Sequence, residues 1–191
     1  KKKITMLKKR TTHIIVDMLY DFIDGSLACS NAEAAVENAV KYINEHPDDK
    51  VLYVCDSHPA EHSSFKDNGG QWPAHCVAGT RGAAIHKAFY QIENPKNRPN
   101  EENTFRKGES FNVEQYSGYA GKNAENEYLF ECATKEVVIS GIATEFCVKN
   151  TAMEFLNDNF DVTVLKDNLG YVDAKGHEKA LEEMKAAGIK I

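Results

Sequence analysis

The sequence predicts a three-layer α/β fold: a mostly parallel sheet with helices on both of its faces. Two observations carry that prediction. Short, β-branched apolar runs alternate along the chain with longer stretches whose apolar residues recur at helical spacing. The runs "HIIVD" (13–17) and "KVLYVCD" (50–56) are apolar nearly throughout and stop at an Asp, as expected of strands covered on both sides.

Taken in order, 13–17 is the first strand. The segment "NAEAAVENAVKYINEH" (31–46) is a helix with Ala35, Ala39 and Ile43 on one face and Asn31 as its cap. Residues 50–56 form the second strand. Residues 56–83 are rich in His, Pro, Gly and Asn and have no period, and an aperiodic stretch of that length in a compact domain is usually functional. "NTFRKG" (103–108) reads as a short strand into a turn and "AENEYLFECATK" (124–135) as a helix. "EVVISG" (136–141) is a strand, "TEFCVKNTAMEFLNDN" (144–159) a helix, "DVTVLKD" (161–167) a strand and "AKGHEKALEEMKAA" (174–187) a helix. The final "IKI" is either an edge strand or a loose end. No repeat, low-complexity tract or linker divides the chain, so residues 11–191 form one domain. Residues 1–10, "KKKITMLKKR", read as a disordered basic tail, with Met6 a candidate natural start.

Composition excludes several classes. A formal charge of -6 with no basic face argues against nucleic acid as partner. No apolar run approaches the roughly 18 residues of a membrane span. The five cysteines form no CxxC pair and no even framework, which fits reduced thiols in a cytoplasm.

In open parallel sheets, ligands bind beyond the carboxyl ends of the strands. Asp17, Asp56, Lys107 and the turn from Gly141 to Cys147 all fall at such ends. A thiol at a helix N-terminus feels the positive end of the dipole, which favours the thiolate, and the same N–H groups can hold an oxyanion. A nucleophilic thiol needs a base, and Asp17 near the cation Lys107 would serve. Each of the three also has a plainer reading: a core cysteine, a turn-capping Asp, a solvated lysine. Asp56 and His58 are two apart in extended chain, and His75 returns from the far end of the long loop. One carboxylate and two imidazoles suit Zn, Fe or Mn. His62 is a candidate fourth ligand. Trp72 lies beside this group and invites a stacking role. His13, His46, His86 and His177 read as structural or surface residues.

Together, "VDMLYDF", "DSHPAEHSSF…QWPAHCVAGT", "FRKGE…YSGY" and "SGIATEFCV" resemble, in this order, the nicotinamidase/pyrazinamidase branch of the isochorismatase-like cysteine hydrolases. The resemblance runs from about residue 12 to residue 187 and implies a Rossmann-like topology. It implies a catalytic triad of Asp17, Lys107 and Cys147, and metal ligands Asp56, His58 and His75. Phe22, Trp72 and Tyr116 would wall the substrate, and the amides of Ala143 and Cys147 would form the oxyanion hole after a cis Ile142–Ala143 peptide. The implied reaction is hydrolysis of nicotinamide, and of pyrazinamide, through a cysteine thioester in cytoplasmic NAD salvage. One divalent ion, zinc first with iron or manganese as alternatives, would orient the pyridine ring. The implied partner is the small-molecule substrate, with no membrane or nucleic acid, and a homo-oligomer is allowed for. Another carboxamide or ureido hydrolase of the superfamily is the alternative, and a non-catalytic binding protein on the same fold a third reading.

Overall fold

A computed structural model describes residues 10–191; the tail expected at 1–10 lies, apart from Arg10, outside them. Five strands, β1 (Thr11–Val16), β2 (Lys50–Asp56), β3 (Thr104–Lys107), β4 (Glu136–Ile142) and β5 (Asp161–Gly170), form one sheet in the order β3-β2-β1-β4-β5. Every pairing is parallel, so "mostly parallel" becomes wholly parallel. The helices are α1 (Tyr20–Ile23), α2 (Ala32–Glu45), α3 (Leu129–Cys132), α4 (Lys149–Asn157) and α5 (Ala174–Ala187).

The two-residue period of the strands divides the core. Ile15, Val51 and Tyr53 pack with Ala35, Val36, Ala39 and Ile43 of α2 on one face. Ile14, Val16, Leu52 and Val54 pack with Ala152 and Phe155 of α4 and Leu181 and Met184 of α5 on the other. Each strand thus reads as a continuous apolar run because both of its faces are covered. Among the described residues no helix is long and apolar enough to cross a membrane.

The chain runs from β1 to β2 on one side and reaches β4 on the other, so the strand order reverses at β1/β4. The crevice at such a reversal is where ligands bind in this kind of sheet. Asp17 follows β1 directly, and Cys147 lies in the turn that follows β4.

Three expectations need correction. The helix read at 124–135 is only the single turn α3. Asn123 Oδ1 accepts from the amides of Glu125 (3.0 Å) and Glu127 (2.9 Å), and Asn126 takes φ 61°, so local side-chain bonding wins over the helix. Asn31 occupies the cap position of α2 but does not cap it. Its φ is 62° and its Nδ2 instead donates to the Leu169 carbonyl at 2.9 Å, tying α2 to β5. The helix read at 144–159 opens with a wider π-type turn, Thr144–Val148, before α4 begins. Helix α1 went unread, being too short to show a period. At the C-terminus, the Lys190 amide donates to the Val162 carbonyl (3.0 Å) and its carbonyl accepts from Val164 (2.8 Å), so "IKI" adds a bridge at the β5 edge.

Candidate active site

Three strand ends meet at one buried ammonium. Lys107 closes β3 and is 1% exposed, and its Nζ lies 3.0 Å from Asp17 Oδ2 and 3.4 Å from Cys147 Sγ. The same ammonium donates to Asp56 Oδ1. Asp17 Oδ1 is taken by the Asp56 amide at 2.9 Å, which orients its other oxygen toward the lysine. The spacing of the ladder makes this possible, because Asp56 pairs with Lys107 in register across β2 and β3.

Burial and charge set the protonation of the trio. Burial raises Asp17 to about 6, with help from Asp56 and against the pull of Lys107. Asp17 is therefore mainly a carboxylate at neutral pH. Burial opposes the charge on Lys107, but Asp17 and Asp56 outweigh it and hold the ammonium well above its usual range. Burial pushes the Cys147 thiol well up, Lys107 opposing, with Asp17 and Asp56 adding to the rise. A raised thiol beside a carboxylate fits the sequence reading, in which Asp17 serves as the base for Cys147.

Beside the trio, Asp56, His58 and His75 bring one ligand atom each within 4.8 Å of one another. Asp56 Oδ2 lies 3.5 Å from His58 Nε2 and 4.0 Å from His75 Nε2. His58 Nδ1 bonds the Gly108 carbonyl at 2.7 Å and His75 Nδ1 the Pro73 carbonyl at 2.8 Å. Those carbonyls fix the proton on Nδ1 and leave both Nε2 lone pairs facing the carboxylate, which is how metal-binding imidazoles are oriented. The donor set fits a divalent metal. Burial opposes ionisation of Asp56, but its pKa is held down, with the Lys107 ammonium the chief opposing influence, as a ligand requires. A second grouping, Asp17, Asp56 and Cys147, already surrounds the Lys107 ammonium.

His62 does not join the ligands. Its Nδ1 bonds Ser64 Oγ at 2.7 Å and its Nε2 the Val113 carbonyl at 2.9 Å, so both ring nitrogens are committed. It instead packs against His58 in a tilted arrangement, ring centres 4.1 Å apart, and ties the segment around Val113 to the metal loop.

Cys147, Ala143 and the three ligands open onto one cavity. Phe22, Trp72 and Tyr116 all line it. Trp72 Nε1 donates to Tyr116 Oη and to Glu114 Oε1, each at 3.3 Å. Phe146 joins them, its ring centre 5.2 Å from Trp72 and 5.5 Å from Tyr116. Sequence reasoning missed Phe146 as a wall, although its place beside Cys147 was a usable signal. Gln115 was also missed: its Oε1 accepts from the Gly108 amide at 3.0 Å and so steadies the carbonyl that orients His58. Gly108 itself is required. Its φ is 72°, and a Cβ there would stand 2.3 Å from the His58 ring. The Ile142–Ala143 peptide is cis, as expected.

A parallel-sheet domain with a thiol, a carboxylate and an ammonium converging at its strand ends has the layout of a cysteine hydrolase. Residues 11–191 match the isochorismatase domain, and the chain belongs to that family. It is 32% identical over 187 residues to the nicotinamidase/pyrazinamidase of Mycobacterium tuberculosis, covering 93% of this chain and 96% of that one. Its fold is similar to the crystal structure of the Pyrococcus horikoshii pyrazinamidase in complex with zinc, with TM-score 0.82 and 33% identity over 95% of this chain and 98% of that one. It is likewise similar to yeast nicotinamidase bound to the inhibitor nicotinaldehyde, with TM-score 0.82 and 28% identity over 94% and 98% of the two chains.

Proposed function

We propose that the protein hydrolyses nicotinamide to nicotinate and ammonia, and pyrazinamide likewise, with Asp17, Lys107 and Cys147 as its catalytic residues. The observation that carries this reading is the buried Lys107 ammonium, set between the Asp17 carboxylate and the Cys147 thiol, with Cys147 lining an aromatic-walled cavity. Asp17 takes the thiol proton as Sγ attacks the carboxamide carbon. Lys107 offsets the charge that passes between them. The oxyanion faces the amides of Ala143 and Cys147. Asp17 returns the proton to the departing amine, so ammonia leaves and a thioester remains. Water then adds to the thioester with Asp17 as base, releasing nicotinate and restoring the thiol. A divalent ion, zinc in the first instance, would be held by Asp56, His58 and His75 and supplies a Lewis-acid anchor for the pyridine nitrogen. Phe22, Trp72 and Tyr116 sandwich the ring and position the amide over sulfur, which can contribute several kcal/mol. All five cysteines are free thiols, which suits a cytoplasmic setting.

Hydroxylamine added during turnover tests the covalent route. An acyl-enzyme is expected to yield nicotinohydroxamate alongside nicotinate, with a nicotinoyl adduct on Cys147 in quenched intact-mass spectra. Ammonia release with neither hydroxamate nor adduct would replace the thioester by direct attack of water, and absence of ammonia release would remove the substrate assignment.

A further inference from the structure

We propose that Glu145 is a positioning residue that limits ring size in the site by clamping Val172 against the cavity. The proposal rests on the nicotinamide reading above. Glu145 lies two residues before Cys147 in the Thr144–Val148 turn. Its Oε1 accepts from the Val172 amide at 3.1 Å, and its Oε2 from the amides of Val172 at 3.0 Å and Asp173 at 2.7 Å. Hydrogen bonds to a carboxylate are roughly twice as strong as neutral ones. Asp173 Oδ2 in turn accepts from Gly176 at 2.8 Å and caps α5. One side chain therefore joins the β5–α5 connection to the turn that carries the thiol.

Val172 needs such a tie. It lines the cavity beside Leu27 and Cys29, yet it is 45% exposed and belongs to neither core cluster. Backbone bonds hold it rather than packing. On its other side, Tyr171 exchanges both backbone bonds with Ser30, at 2.8 and 3.1 Å. The connection is thus pinned immediately before Val172 by Ser30, and at and after it by Glu145. Space for the clamp is also built in: a Cβ on Gly176 would stand 3.1 Å from Glu145 Cγ, so the first turn of α5 closes directly on this side chain. Glu145 acts on substrate only through Val172, and its effect falls on how tightly the ring is bounded.

The experiment compares wild type, Glu145→Ala, Glu145→Gln, Val172→Ala and the Glu145→Ala/Val172→Ala double variant. For each, kcat and KM are measured on nicotinamide and on a ring-methylated nicotinamide, with amide hydrogen exchange at Val172 and Asp173 followed in parallel. Discrimination against one added methyl group in a bounded pocket is worth about tenfold or more. Glu145→Ala is expected to lower the preference for nicotinamide by about that factor, mainly through KM, with Glu145→Gln losing less because one acceptor remains. Val172→Ala should match it, and the double variant should lose no more than either single change. Exchange at Val172 and Asp173 should quicken in Glu145→Ala. An unchanged preference in Glu145→Ala, additive losses in the double variant, or amides that stay protected would each overturn the clamp. A wild type that does not hydrolyse nicotinamide would refute the functional reading instead, and the exchange data would then decide the clamp alone.

Discussion

His13 should make the stability of this protein fall steeply with acid, in a manner separable from its metal ligands. The ring sits at mid-β1 with 0% exposure, its Nε2 2.7 Å from Ser140 Oγ, while Nδ1 has no partner. Asn168 Nδ2 donates to the same Ser140 oxygen at 3.0 Å, so the hydroxyl has little left to offer a charged ring. Burial lowers His13 from 6.5 to about 3, with His46 adding to the fall. Because the folded pKa lies below the unfolded one, the unfolded chain binds a proton that the native state refuses. Stability is therefore full above pH 6.5 and is lost as pH falls toward 3, at a limiting slope of about 1.4 kcal/mol per unit. Between pH 7 and pH 5 the loss comes to about 2 kcal/mol. Urea unfolding of wild type and His13→Gln at pH 7, 6 and 5 measures it. The ligands His58 and His75 titrate alike in both proteins, so the difference in slope isolates His13. The glutamine variant should lose about 2 kcal/mol less than wild type over this range. Parallel pH dependences would show that the His13 site tolerates the charge and that the burial reasoning is wrong.

Lys107→Met leaves Asp17 and Asp56 facing each other without their shared cation, and removal of one partner from a buried ionic group costs about 3–5 kcal/mol. An unchanged denaturation midpoint would show that the ammonium holds nothing together. Gly108→Ala should push the His58 ring aside and weaken zinc binding, since loss of a partner that orients a ligand typically costs about 10–100-fold; titration with a competing chelator reads this directly. Chelation should weaken binding of nicotinamide more than binding of benzamide, which lacks the ring nitrogen, and His75→Ala should copy it. Equal losses for the two compounds would assign the metal a purely structural role.

Much of the fold was readable locally. β2 runs over the predicted residues Lys50–Asp56 and α5 over the predicted Ala174–Ala187. Both are long enough to show their period. Failures came where side chains bond to nearby backbone, as Asn123 does, or where an element is a single turn, as α1 is. At the site, Asp17, Lys107, Cys147, Asp56, His58 and His75 were all singled out from strand ends and loop composition, and they converge in space. His62 was a candidate ligand by residue type alone, and only its two hydrogen bonds removed it.

By itself the sequence determined which chemistry is present and where on the sheet it stands. An apolar run needs cover on both faces, and a polar residue that ends such a run must emerge at the strand's carboxyl end. The tertiary structure alone decided how those groups share protons and partners. Asp17 meets the Asp56 amide from 39 positions away, and Asp56 meets Lys107 from 51. Asp56 thereby gives one oxygen to the ammonium and turns the other to two imidazoles, a division that strand register sets and no local pattern encodes. Cys147 shows the same limit. Its place near a helix start favours the thiolate, whereas burial first and the surrounding acids second push the thiol's pKa up against Lys107. Protonation follows the whole field of a buried site, and that field exists only once the chain has folded.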